Sequence, residues 1–208
     1  TRCLAMPLRR LCLAVCLGNK GSRKKGAGYP QYPVIYLSLK RLMPLGEEEM
    51  VKAKGQGSLT EEDIAQFMQL HNEVLFSFDS ITKTDIVISE NKTTLGITTN
   101  KYDWMQNSAG QDNLGKILLA LLSFKKLHDK YERHYQGGLL FIDELDATMY
   151  PGSQSKLLAV LLRFSCKYKI QIVFTTHSLS LLESVHNRVL QFQEKEATRN
   201  MILSLIHI

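Results

Sequence analysis

Two spacings of apolar residues alternate along the chain. Val34-Ile35-Tyr36-Leu37-Ser38-Leu39 is β-rich and nearly all apolar, which predicts a buried strand. Residues 46–58 read as a loop. Thr60 and Asp63 offer an N-cap to a helix through Leu75, with Ile64, Phe67, Met68 and His71 on one face. Asp85–Ser89 and Thr94–Thr98 flank Asn91-Lys92, a hairpin signal. Leu114, Ile117, Leu118, Leu121 and Phe124 then recur at helical spacing from Asp112 to about Lys130. Leu139–Ile142 predicts a short strand, and Leu157, Leu158, Leu161 and Leu162 mark a helix after Pro151. Ile170–Phe174 predicts a second buried strand, followed by a short helix from Ser178 and a strand near Val189–Phe192. Helices alternating with all-apolar strands imply an α/β fold, a parallel sheet with flanking helices. In such sheets ligands sit beyond the carboxyl ends of the strands.

Composition narrows the class without changing this picture. The 208 residues are 44% hydrophobic and 22% charged, as in ordinary globular chains, which excludes a disordered chain or a rod. The longest apolar run, Leu11–Leu17, is far short of the ~18–20 residues that span a bilayer, so no membrane partner is expected. The net charge of +6 is unevenly placed: residues 1–46 carry nine Lys and Arg and no acid, while the remainder is slightly acidic. A basic arm of this kind is either solvated or binds nucleic acid. Cys3, Cys12, Cys16 and Cys166 form no C-x-x-C pair and no zinc pattern, which suggests a reducing, cytoplasmic setting. Arg9-Arg10 before Leu11–Leu17 mimics a secretory signal, but no small-x-small cleavage site follows cleanly. Both ends read as edges of a larger piece. Residues 1–28 are expected to be a basic, non-native or disordered tail, 29–200 a partial α/β domain and 201–208 a second non-native tail.

Three stretches sit where the rule for parallel sheets directs attention. Asp143-Glu144 ends the Leu139–Ile142 strand, and two adjacent acids there are costly to bury unless a cation or a reaction uses them. In phosphoryl chemistry Asp143 would hold Mg²⁺, usually through water, and Glu144 would polarise the attacking water. A helix-start acid pair is the plainer reading. Thr175-Thr176-His177-Ser178 ends the next strand, bringing an imidazole and hydroxyls to the same edge. A capping serine and a loop histidine are the plainer reading of these residues. Asn107-Ser108-Ala109-Gly110-Gln111 leads into a helix whose exposed amides could hold an anion, or simply be capped.

Taken in order, these stretches resemble the carboxyl-terminal half of the ABC-type ATPase core, in the branch shared with the SMC and OLD-like AAA proteins. Ser108, Ala109, Gly110 and Gln111 resemble the signature motif, with Ala109 in place of the more usual glycine. Asp143 and Glu144 match the Walker B aspartate and the catalytic glutamate, Asp146 the D-loop acid and His177 the switch histidine. Glu144–Pro151 is similar to the acidic, Pro-terminated turn of OLD-like and phage-defence ATPases. The likeness covers residues 104–192 well, 32–100 loosely and 1–28 not at all. It implies ATP and Mg²⁺ as cofactors. It also implies a homodimer that sandwiches each nucleotide head to tail, and a DNA or defence-effector partner.

The family also needs a P-loop, whose backbone amides and lysine cradle the phosphates. No G-x-x-x-x-G-K-[ST] occurs in the 208 residues. Gly21 and Gly26 have the right spacing, but Ala27-Gly28 replaces the Lys-Ser/Thr pair and Pro30 would block the helix that must follow. The expected function is ATP hydrolysis in the intact protein, with little binding or turnover by these residues alone. Two other classes stay open: a non-hydrolysing dimerisation or regulatory module, and nucleic-acid binding through the basic tail.

Overall fold

The apolar stretches at 34–37, 138–142 and 170–175 form strands of one sheet, while the longer apolar runs at 117–122 and 157–162 lie within helices. The computed structural model describes residues 32–193, except 58, 78 and 91, together with 204–206. They all belong to one compact unit, Tyr32–Ile208. The basic tail, the Gly21/Gly26 pair, Cys3, Cys12, Cys16 and Asn91 lie outside the described residues.

The main sheet is parallel. β1 (Val34–Leu37) pairs with β5 (Gly138–Ile142), β5 with β6 (Ile170–Thr175), and β6 with β7 (Ser204–Ile206). The register sets Leu37 beside Ile142 and Ile142 beside Phe174, so β1, β5 and β6 end together at one edge. β1 is shorter than expected and is not fully buried. Val34 and Tyr36 are exposed while Leu37 is 2% exposed, because β1 is an edge strand with one face open. Leu39–Leu42 forms a 3₁₀ turn in place of the last strand residues.

A second, antiparallel sheet has the order β2 (Lys52–Ala53), β3 (Ile81–Ile88) and β4 (Thr93–Thr99). The hairpin was expected; β2 was not, since two exposed residues carry no periodicity. The free edge of β4 is partly paired by a side chain. Asn107, with its amide oriented to pair, donates to the Ile97 carbonyl at 3.2 Å and accepts from the Ile97 N–H at 3.1 Å.

Four helices complete the fold: α1 (Glu61–Leu75), α2 (Ala109–Tyr131), α3 (Pro151–Tyr168) and α4 (Leu179–Gln193). α1 opens with a capping box in which the Thr60 hydroxyl accepts from the Asp63 N–H while the Asp63 carboxylate accepts from the Thr60 N–H. α4 corrects an expectation: Val189–Phe192 continues a helix and is not a strand. Four apolar-rich residues fit either state, and here they extend the helical series begun by the buried Leu181 and Val185. The core fills the space between α1, α2, α3 and the parallel sheet. Phe67, Leu118, Leu121, Phe124, Leu140 and Leu158 are fully buried in it.

The start of α2 is pinned from below. Asp112, fully buried, accepts from the Leu45 N–H at 2.6 Å and lies 3.8 Å from the Lys92 ammonium. Burial pushes the Asp112 carboxyl up, against the pull of the Leu45 amide and Lys92.

Candidate active site

At the carboxyl edge of the parallel sheet the chain leaves β5 directly into Asp143-Glu144-Leu145-Asp146. The Asp143 N–H donates to the Leu37 carbonyl at 3.0 Å, continuing the β1–β5 ladder by one residue. The next residue departs sharply: Glu144 has φ +48°, a left-handed conformation that costs a non-glycine residue about 1 kcal/mol or more. Leu145 then turns inward, 1% exposed, and its N–H donates to the Thr175 carbonyl at 2.9 Å. The polar–polar–apolar–polar order of 143–146 therefore turns one side chain into the core and leaves the three acids at the rim.

Thr175, the last residue of β6, joins both members of the acid pair. Its hydroxyl donates to Asp143 Oδ1 at 2.7 Å and accepts from the Glu144 N–H at 2.7 Å. Thr176 donates its hydroxyl to Asp146 Oδ1, which also accepts from the His177 N–H at 3.2 Å. The His177 ring then stands with Nε2 3.7 Å from Glu144 Oε1, its side chain 64% exposed against 36% for Glu144. Asp143, Glu144, Asp146 and His177 are thus brought together, two of them open to a ligand.

Ser178 caps α4, as the plainer reading expected: its hydroxyl accepts from the Leu181 N–H at 3.3 Å. It also donates to Gln154 Oε1 at 2.7 Å, and the Gln154 amide donates to the Asp146 and Met149 carbonyls.

Ser108, Ala109, Gly110 and Gln111 occupy the amino end of α2, a separate part of the same edge. The capping reading holds for the geometry: the Ser108 hydroxyl accepts from the Gln111 N–H at 3.3 Å, and the Gln111 side chain accepts from the Ser108 N–H at 2.8 Å. Among the described residues no hydrogen bond joins this loop to Asp143, Glu144, Asp146 or His177. The link is steric. A Cβ on Gly110 would lie 2.7 Å from the Thr148 carbonyl, so glycine lets the loop rest on the end of the acidic turn.

One residue of the site went unread in the sequence. Arg41, 2% exposed, donates through Nη2 to the Glu144 carbonyl at 2.8 Å and through Nε to Asn113 Oδ1 at 2.8 Å. Nη1 reaches the Leu37 and Ser38 carbonyls at 3.2 and 3.0 Å. Burial pushes its guanidinium down from the ordinary value, and the charges of Asp143, Glu144 and Asp146 oppose that. Its position just past the carboxyl end of the first apolar strand was a usable signal.

The donor set suits a hydrated Mg²⁺. Among the described residues no three acid, His or Cys side chains converge as a metal cage. Asp143 and Glu144 offer the one or two carboxylates that such an ion takes when water and phosphate oxygens are its remaining ligands.

A parallel sheet flanked by helices, with acids and a histidine at its carboxyl edge, is that of the P-loop NTPase-like class. Residues 72–183, more than half of the chain, match the model of the family described as "AAA domain, putative AbiEii toxin, Type IV TA system". The chain belongs to this AAA-type, nucleotide-binding family. A search of curated proteins found no match. Among the described residues no helix is long and apolar enough to cross a membrane.

Proposed function

We propose that the chain carries the hydrolytic edge of an ATPase of the ABC/OLD-like branch. The observation that carries this reading is the single Thr175 hydroxyl bonded to Asp143 and to the Glu144 amide, with His177 3.7 Å from the Glu144 carboxylate. In this reading Asp143 is the Mg²⁺ partner, through its own oxygen or a bridging water. Bound Mg²⁺ would neutralise charge on the phosphate oxygens. Glu144 orients a water and accepts its proton, and His177 donates toward the γ-phosphate. Asp146 holds the His177 backbone, fixing the distance between imidazole and carboxylate.

The Ser108–Gln111 loop is assigned to the nucleotide of a second copy, in a head-to-tail homodimer. It lies at a helix amino end, where amides and dipole favour an anion. The Ser108 oxygen is used by the cap, which leaves its proton to donate. The phosphate cradle would come from chain outside these 208 residues. The family's description supports reading the output as that of a toxin, and the proposal extends it to action on DNA or a defence effector in the cytoplasm.

The test is Glu144→Gln in the intact protein. Turnover should fall to background while ATP is retained and a nucleotide-dependent dimer accumulates, read by light scattering. Turnover near the parent level would require another base. The absence of a P-loop motif from these residues favours a second reading, a dimerisation module that never hydrolyses ATP. It requires the unaltered intact protein to dimerise with ATP and show no turnover.

A further inference from the structure

Arg41 is a buried cation whose hydrogen-bonded partners are all neutral oxygens: three backbone carbonyls and the amide of Asn113. Burying a cation is expensive, and apolar replacements of buried ions often cost nothing or even stabilise. Core filling alone therefore gives no reason for an arginine here. Its donors reach three separate parts of the chain: the turn after β1, the second turn of α2, and the peptide of Glu144. Asn113, fully buried, passes the connection on. It spends its acceptor on Arg41 and donates its amide to the Ala147 carbonyl at 2.9 Å and the Thr148 hydroxyl at 3.2 Å.

The two residues in this turn with left-handed backbones are Glu144, φ +48°, and Thr148, φ +62°. Arg41 bonds the carbonyl of the first and Asn113 the hydroxyl of the second. The strained residues at either end of the acidic turn are thus the ones the pair grips. A backbone bond is also the suitable handle: it fixes where the Glu144 side chain starts and leaves its carboxylate free at the rim.

The geometry points to Arg41, acting with Asn113, as a positioning residue that clamps the 144–148 turn and so aims Glu144 at the reacting water. This rests on the ATPase reading above for its kinetic consequence, though not for its structural one. Through the Thr148 carbonyl the same clamp sets the height on which Gly110 rests. The registry of the Ser108 loop against the acids is therefore fixed inside one subunit.

The experiment uses the intact protein with Arg41→Met and Asn113→Asp, the latter keeping an acceptor for Arg41 while losing the donation to Ala147 and Thr148. Turnover and amide hydrogen exchange are measured on both. With the clamp lost, kcat should fall about 100-fold with KM within about twofold, as expected for a misplaced catalytic group. The amides of Leu145, Ala147 and Met149 should exchange at least about tenfold faster while those of α3 and β6 hold. Unchanged exchange in the turn overturns the proposal. So does equal loss of protection at every amide, or failure of both variants to fold, since the pair would then hold the core rather than the turn. If the parent protein has no ATPase, that reading fails by itself and the exchange pattern still decides the clamp.

Discussion

His71 shows how a residue outside the site can set the conditions under which the site survives. It lies on α1, 1% exposed, with its ring 5.8 Å from that of Phe67. Burial pushes its imidazole down to about 4, with a smaller opposing contribution from Asn72. The sign follows directly. The unfolded chain takes up a proton near the ordinary value of 6.5, while the folded chain resists until about 4. Stability is therefore full above 6.5 and falls as pH drops through that window, by up to about 3 kcal/mol for this one group. Urea unfolding at pH 7 and pH 4.5 should show the loss, and His71→Leu should remove most of the difference. Equal pH dependence in both proteins would assign the loss to other groups. The sequence placed His71 on the apolar face of α1, but not its titration, which depends on what α2 and α3 pack over it. Arg41 escaped for a related reason. The two partners that tie it to the site are 72 and 103 positions away, and by composition it was one of nine basic residues in a charged arm.

Elements were legible where one periodicity dominated. The long helix over the hairpin was evident from Leu114 to Phe124, whereas the loop at 107–111 could be read as a cap or as an anion site, and the Ser108–Gln111 capping box came only with the structure. What spacing does not carry is how closely two elements approach. A Cβ on Gly115 would lie 2.3 Å from the Leu95 carbonyl, so α2 sits directly on β4 at that point. Gly115→Ala raises helix propensity by about 1 kcal/mol and should still destabilise, since overpacking against fixed backbone costs about 1–3 kcal/mol. Thermal unfolding tests this: a higher midpoint would mean that α2 can lift off the hairpin without cost. The same limit explains the misread strand at Val189–Phe192. Four residues hold barely one helical turn, too few to separate the two periods.

At the scale of the whole molecule, the carboxyl-edge rule carried most of the reading. It led from strand ends to Asp143 and Thr175 before any contact was known. It could not reveal that one hydroxyl serves both acids, because strand pairing, not strand content, brings Thr175 beside Asp143. Nucleotide affinity also belongs to this scale. Half a site, with acids but no P-loop motif, should bind Mg·ATP more weakly than about 1 mM, or about 4 kcal/mol, in calorimetric titration of the 208 residues. Micromolar binding would mean that a cradle of another kind is present.

The parallel register also has a consequence for the order of events during synthesis. Parallel neighbours cannot be joined by a tight turn, and each pairing at this edge waits for a long crossover to be made. Leu37 meets Ile142, and Asp143 meets Thr175 only after all of α3 and β6 have left the ribosome. Contacts so distant in sequence form late and slowly. A growing chain thus holds both acids for the time it takes to add some thirty further residues before the Thr175 hydroxyl can join them.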